Sequence, residues 1–101
     1  DDVINYKGIK IAPEEIETVA MQYAGIKDYA CIPVQDPVRG QVPKLYVAAA
    51  ANYSEQELFM VLRNGLEATR VPVFIETTDL IPRSSNGKLQ RKKLREYDEK
   101  K

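Results

Sequence analysis

Tyr29-Ala30-Cys31-Ile32-Pro33-Val34 and Lys44-Leu45-Tyr46-Val47-Ala48-Ala49-Ala50-Ala51 are apolar runs separated by the polar stretch Gln35 to Pro43. Their β-branched and aromatic residues suit a pleated, half-buried surface, and Asp36-Pro37 and Arg39-Gly40 between them are turn chemistry. Two strands are predicted, antiparallel to each other. Upstream, Pro13 suits the first turn of a helix, with Glu14, Glu15 and Glu17 near its positive end. Ile16, Val19, Ala20 and Tyr23 fall at i, i+3, i+4 and i+7 and make its apolar stripe, with Gly25 as the stop. Before that helix, Val3 to Lys7 and Ile9 to Ile11 flank Gly8 and read as extended segments joined by a kink or tight turn. Downstream, Ser54 and Glu57 have the S-x-x-E spacing of a capping box, and Leu58, Val61, Leu62 and Leu66 continue a second helical face. Pro72 ends it, Val73 to Thr77 reads as a third strand, and Leu89 to about Asp98 as a final helix resting on Leu94 and Tyr97. The order predicts one small α+β domain over residues 1 to 101, a mainly antiparallel three-stranded sheet flanked by helices, plus a short N-terminal two-stranded extended pair.

Composition narrows what such a domain can do. The chain has 101 residues, 44% hydrophobic and 30% charged, with 15 basic and 15 acidic side chains. A domain of this size buries roughly 60 to 70% of its unfolded surface, enough for one core but not for a core plus a deep substrate cavity. A self-contained enzyme with a buried pocket is not expected. No run approaches the roughly 18 apolar residues of a membrane span and no signal-peptide pattern opens the chain, which predicts a cytoplasmic protein. Histidine is absent and Cys31 is the single cysteine. Those counts exclude an intrachain disulfide, a Cys/His zinc site and Ser-His or Cys-His catalysis, and no metal site is expected. Cys31 sits in an apolar strand-like run, the place for a buried structural thiol. From Arg83 to the end, eight basic side chains face three acidic ones, a local net charge of +5. Without interleaved aromatics or a reader motif, that patch is expected to be a solvated helix face rather than a nucleic-acid site.

Chemistry concentrates in Pro82-Arg83-Ser84-Ser85-Asn86-Gly87-Lys88. Proline fixes φ, Ser-Ser-Asn-Gly is turn composition, and Gly87 tolerates positive φ, so the backbone places the residue that follows. Lys88 is then a compact cation held out on a turn, suited to a phosphate or carboxylate on which charge builds up. A phosphate-cradling G-x-x-x-x-G-K-[ST] loop is excluded, because the upstream glycine would be Pro82 and the magnesium-binding hydroxyl would be Leu89.

Two segments read together carry more than either alone. Asp1-Asp2-Val3-Ile4-Asn5-Tyr6-Lys7-Gly8-Ile9-Lys10-Ile11-Ala12-Pro13-Glu14-Glu15-Ile16-Glu17 resembles the hinge and first helix of the C-terminal domain of the adenylate-forming enzymes. Pro82 to Arg91 resembles their late P-R-[ST]-x-x-G-K-[ILV]-x-R segment. That superfamily includes acyl- and aryl-CoA synthetases, nonribosomal peptide synthetase adenylation domains and beetle luciferases, and the wording from Tyr6 to Glu17 is most similar to the acyl-CoA synthetase branch. The resemblance covers essentially the whole chain. The abrupt start at Asp1, without cap or leader, is what a piece cut at a domain boundary would show.

The resemblance implies a ligase acting in two steps on a fatty or aryl acid. A carboxylate attacks the α-phosphorus of ATP, bound with Mg2+, to give acyl-adenylate and pyrophosphate; the thiol of CoA then displaces AMP. Lys88 matches the lysine that meets carboxylate and α-phosphate in the first step. Asp1 matches the hinge residue about which the domain turns between steps, and Gly8 and Lys10 match positions on the thiol side. Asn5 stands where luciferase-like and coumarate-ligase-like members carry lysine, which separates this chain from those branches. The implied partner is an N-terminal adenylation domain that holds most of the ATP, acid and CoA sites. Two alternatives stand beside it: an adenylation domain loading a carrier-protein pantetheine thiol, and a freestanding α+β interaction module without catalysis.

Overall fold

The structure, a computed structural model, describes residues 2 to 101. Its elements in chain order are β1 (Ile4–Tyr6), β2 (Ile9–Ile11), α1 (Pro13–Ala20), β3 (Ile26–Asp36), β4 (Gly40–Ala49), α2 (Glu55–Gly65), β5 (Phe74–Thr77) and α3 (Arg91–Glu99), with a 3-10 turn at Ala68–Arg70. The expected α+β class with a mainly antiparallel sheet is what forms. The N-terminal pair is part of the same sheet, which therefore has five strands rather than three. β1 pairs with β2 and touches the start of β4 through Tyr6 and Gly40. β4 is central: β3 lines one edge antiparallel over its whole length, while β5 lies parallel on the other, from Lys44 opposite Phe74 to Val47 opposite Thr77. The helix α2 is thus the crossover of a β-α-β unit.

The β3–β4 ribbon is longer than the sequence predicted, because the stretch from Gln35 to Pro43, with prolines at 37 and 43, read as loop and only Pro37 interrupts pairing. Pro37 lies in the turn, whereas Pro33 and Pro43 face each other inside the ladder. Two positions away the Cys31 N–H points outward and is accepted by Glu17 Oε2 at 2.8 Å, so odd positions on β3 direct their N–H away from β4. Pro33 falls on that phase and forfeits no ladder hydrogen bond. The turn is closed by Asp36, whose carboxylate accepts the N–H groups of Val38 at 3.1 Å and Arg39 at 2.8 Å.

Strand periodicity splits the core between two faces. Cys31, Leu45 and Val47 point to the face covered by Ile16 and Ala20 of α1 and Leu58 and Leu62 of α2, with Ile4 and Ile11 completing it. Ala30, Ile32, Tyr46 and Ala48 point the other way, against Ile81 and Leu94. Cys31 is fully buried, as expected of a structural thiol, and burial first, then the Glu17 charge, pushes its pKa far up. The capping box of α2 is half made. Ser54 Oγ accepts the Glu57 N–H at 3.3 Å, but the Ser54 N–H goes to the Tyr23 hydroxyl at 2.8 Å. On the other face α3 is tied to β4 by Asp98, which accepts from Lys44 Nζ at 2.6 Å and from the Tyr46 hydroxyl at 2.5 Å. Burial leads in pushing the Tyr46 phenol up to about 12. Leu94 is buried as predicted, while Tyr97 stays half exposed, edge-on to Tyr46.

Candidate functional site

Lys88 stands on a miniature hairpin rather than a loose loop. Arg83 and Leu89 form an antiparallel bridge, and the Ser84 N–H donates to the Lys88 carbonyl at 2.8 Å. Gly87 donates to the Ser84 carbonyl at 2.9 Å, and Gln90 to the Pro82 carbonyl at 3.0 Å. Gly87 has φ +86°, a conformation that side-chain-bearing residues rarely adopt, as its place in the sequence predicted. A Cβ there would meet no atom within 4 Å, so the requirement for glycine is conformational rather than steric. Ile81 and Leu89 seat both feet of the hairpin in the second core. The Lys88 side chain is exposed, and among the described residues its amine makes no hydrogen bond or ion pair.

Two arginines hold this segment to β3. Arg83 Nε and Nη2 donate to the two Asp28 oxygens at 2.9 and 2.7 Å, and Arg83 Nη1 donates to the Gly87 carbonyl at 2.9 Å. The Arg83 hydrogen bonds hold the Asp28 carboxyl below its ordinary range. Arg91, just beyond Lys88, donates Nε to the Cys31 carbonyl at 3.2 Å and Nη2 to Glu17 Oε1 at 2.6 Å. Since Glu17 also accepts the Cys31 N–H, one buried ion pair satisfies both outward backbone groups of Cys31. Sequence reading placed Glu17 only as a first-turn acid. The available signal was its position: Pro13, Ile16, Glu17 and Ala20 are the buried residues of α1, and an acid on a core stripe needs a buried partner.

The remaining candidates lie elsewhere. Lys7 and Gly8 form a two-residue turn with φ +51° and +83°, the signs of a I′ hairpin, joining Tyr6 to Ile9. Gly8 faces open space, with no atom within 4 Å of where a Cβ would stand. Lys10 pairs across this hairpin with Asn5, and both are exposed. Asp1, the predicted hinge, lies outside the described residues. Arg83 grips β3 at Asp28, whereas Tyr6 meets the sheet at Gly40, whose β3 partner is Asp36. Eight residues of extended chain separate Asp28 from Asp36, about 26 Å at roughly 3.3 Å per residue. The fold therefore brings Gly8 and Lys10 together and keeps Lys88 at the other end of the ribbon.

The basic C-terminal segment is largely neutralised in place. Arg83 pairs with Asp28, Arg91 with Glu17, Arg95 with Asp2 and Lys101 with Glu76. Among the described residues no group of three or more His, Cys, Asp or Glu side chains is placed to hold a metal ion. No helix among them is long and apolar enough to cross a membrane.

Residues 15 to 88 match the family model of the AMP-binding enzyme C-terminal domain. The chain belongs to that family. Lys88 is the last residue matched, so the family's span takes in most of α1 and the hairpin as far as its lysine. The 2-succinylbenzoate–CoA ligase of Staphylococcus aureus (strain MRSA252) is 44% identical over 93 residues, covering 92% of this chain and 19% of that protein. Among solved structures, the Mycobacterium tuberculosis fatty acyl CoA synthetase superposes with a TM-score of 0.89 at 30% identity, covering 95% of this chain and 19% of that one. An anthranilate CoA ligase, AuaEII, in complex with anthranoyl-AMP gives 0.87 at 27% identity, covering 96% and 20%. This AMP-binding enzyme C-terminal domain thus spans about a fifth of the length of the CoA ligases it matches.

Proposed function

We propose that this chain is the mobile C-terminal domain of a soluble, cytoplasmic ligase that couples ATP cleavage to formation of a thioester between a carboxylic acid and CoA. The observation that carries the reading is the separation of Lys88 from Gly8 and Lys10 at opposite ends of one rigid ribbon. A single reaction centre cannot meet both at once, so a domain with tasks at both ends must turn between them. Membership in the AMP-binding family favours a ligase over a freestanding interaction module, and the relatives named as CoA ligases favour CoA over a carrier-protein thiol.

In the first step a carboxylate oxygen attacks the α-phosphorus of ATP and pyrophosphate leaves with its electron pair. Two anions must approach, and Lys88, unpaired and aimed outward, offsets the charge that accumulates on the pentavalent phosphorus oxygens. Mg2+ and most ATP contacts fall to the N-terminal domain. In the second step the CoA sulfur attacks the acyl carbon and AMP departs as the mixed anhydride bond breaks. The Lys7-Gly8 turn lets the backbone approach the incoming pantetheine closely, with Lys10 beside it. The pivot is assigned to Asp1 on the resemblance of the first segment.

Lys88→Ala in the full-length enzyme tests this. Adenylation, followed by pyrophosphate release, falls by roughly 100- to 1000-fold, the scale for removing one preorganised electrostatic group. Thioester formation from supplied acyl-adenylate stays near the wild-type rate. Equal damage to both half-reactions would sink the assignment.

A further inference from the structure

We propose that Arg83 is the positioning residue for Lys88, with Asp28 as its anchor on β3. This rests on the adenylation role of Lys88 stated above. The decisive geometry is at one peptide unit, the one joining Gly87 to Lys88. Its carbonyl accepts Arg83 Nη1 at 2.9 Å, and its N–H donates to Ser84 Oγ at 3.1 Å. A peptide unit is planar, so holding both of its ends fixes the plane from which the Lys88 Cα departs. Lysine has a flexible four-carbon stem, so the protein controls the ammonium mainly through that point of departure.

The hairpin's own hydrogen bonds fix its shape, and Ile81, Leu89 and Arg91 hold its base. Arg83 ties its tip to the sheet. One rigid guanidinium makes two bonds to Asp28 and one to Gly87, linking a strand residue to the backbone atom next to Lys88. Asp28 is itself oriented, because its Oδ1 accepts the Tyr29 N–H at 2.9 Å. The Arg83 and Asp28 side chains are 35% and 27% exposed, and ion pairs so exposed add little to stability. An arrangement this specific and this weakly stabilising suits placement of a reacting group.

The test uses the full-length ligase with Arg83→Ala, Arg83→Lys, Asp28→Asn, Lys88→Ala and the double variant Arg83→Ala/Lys88→Ala. Each half-reaction and the thermal unfolding midpoint are measured. Arg83→Ala lowers adenylation by about 10- to 100-fold, the scale for displacing a catalytic group by about 1 Å, and leaves thioester formation from supplied acyl-adenylate unchanged. Arg83→Lys restores the charge without the fork and does not rescue the rate; Asp28→Asn loses less than Arg83→Ala. With Lys88 already removed, Arg83→Ala costs nothing further, because a positioner has nothing left to position. Melting stays near wild type throughout, and should Arg83→Ala fail to fold, Asp28→Asn alone carries the comparison. Wild-type adenylation in Arg83→Ala, parallel loss of both half-reactions, or a double variant equal to the product of the singles would each overturn the proposal while leaving Lys88 in its role. Undiminished adenylation in Lys88→Ala would instead overturn the role of Lys88 itself.

Discussion

The Lys7-Gly8 turn and the Gly87-Lys88 turn are built from the same pair of residues in opposite order, and both set a glycine at positive φ in open space. They differ in what holds them. Gly87 and Lys88 are bonded on both sides of their shared peptide and roped to β3 through Arg83, whereas the hairpin of Gly8 is anchored at its base, by buried Ile4 and Ile11, the Tyr6–Gly40 pair and the Asn5 N–H donated to Gln41 Oε1 at 2.7 Å, with no side-chain brace on Lys7 or Gly8 among the described residues. A side chain with the role proposed for Lys88 needs such bracing. A turn with the role proposed for Gly8 needs clearance, and the space round it is open. On the proposed function the two ends of the ribbon divide a precise task from a permissive one.

Filling that clearance should have a large effect. In the full-length enzyme Gly8→Leu slows transfer from acyl-adenylate to CoA by about 100-fold, through bulk at the point of approach and a side chain forced to positive φ, while pyrophosphate release keeps its rate. If adenylation falls instead, the division of labour is reversed. A smaller effect follows from Asp1→Pro, which fixes φ near −65° at the proposed pivot. Transfer slows on the order of 10-fold, the consequence of an arrangement disfavoured by about 1.4 kcal/mol, and adenylation survives. Unchanged rates in both half-reactions would remove Asp1 as pivot. The smallest effect separates the two turns by acid. Asp28 has its carboxyl lowered from 3.8 by Arg83, so the brace contributes fully above that value and is lost as pH falls through the folded value. In the 101-residue chain alone, amide shifts of Gly87 and Lys88 should move with this titration, those of Lys7 and Gly8 should not, and Asp28→Asn should abolish the movement. Titration of both turns together would break the comparison.

How much of this was legible in the sequence depended on the range of the interactions. Helical stripes such as Ile16 and Ala20 or Leu58 and Leu62 announce themselves because each helix buries one side, and Gly87 before Lys88 announces a turn. The ribbon's length was hidden because proline's tolerance depends on which way an N–H would point, and that phase is set by pairing. The parallel direction of β5 is equally a matter of where α2 returns the chain. The brace on Lys88 joins Asp28 to Arg83, residues 55 apart, and nothing local marks either as a partner. Glu17 is the exception in kind: its spacing with Pro13, Ile16 and Ala20 marks a charge on a buried stripe, although the sequence reading took it only as a first-turn acid.

One feature of β3 reaches beyond catalysis. It is an 11-residue strand at the edge of the sheet, the kind of border on which a second chain can assemble a new strand. Its outward N–H groups at Tyr29 and Cys31 are already taken by Asp28 and Glu17, and at Pro33 there is none to offer. Through the middle of this edge an incoming strand finds no free donor, so the domain carries its longest border poorly suited to pairing with another chain.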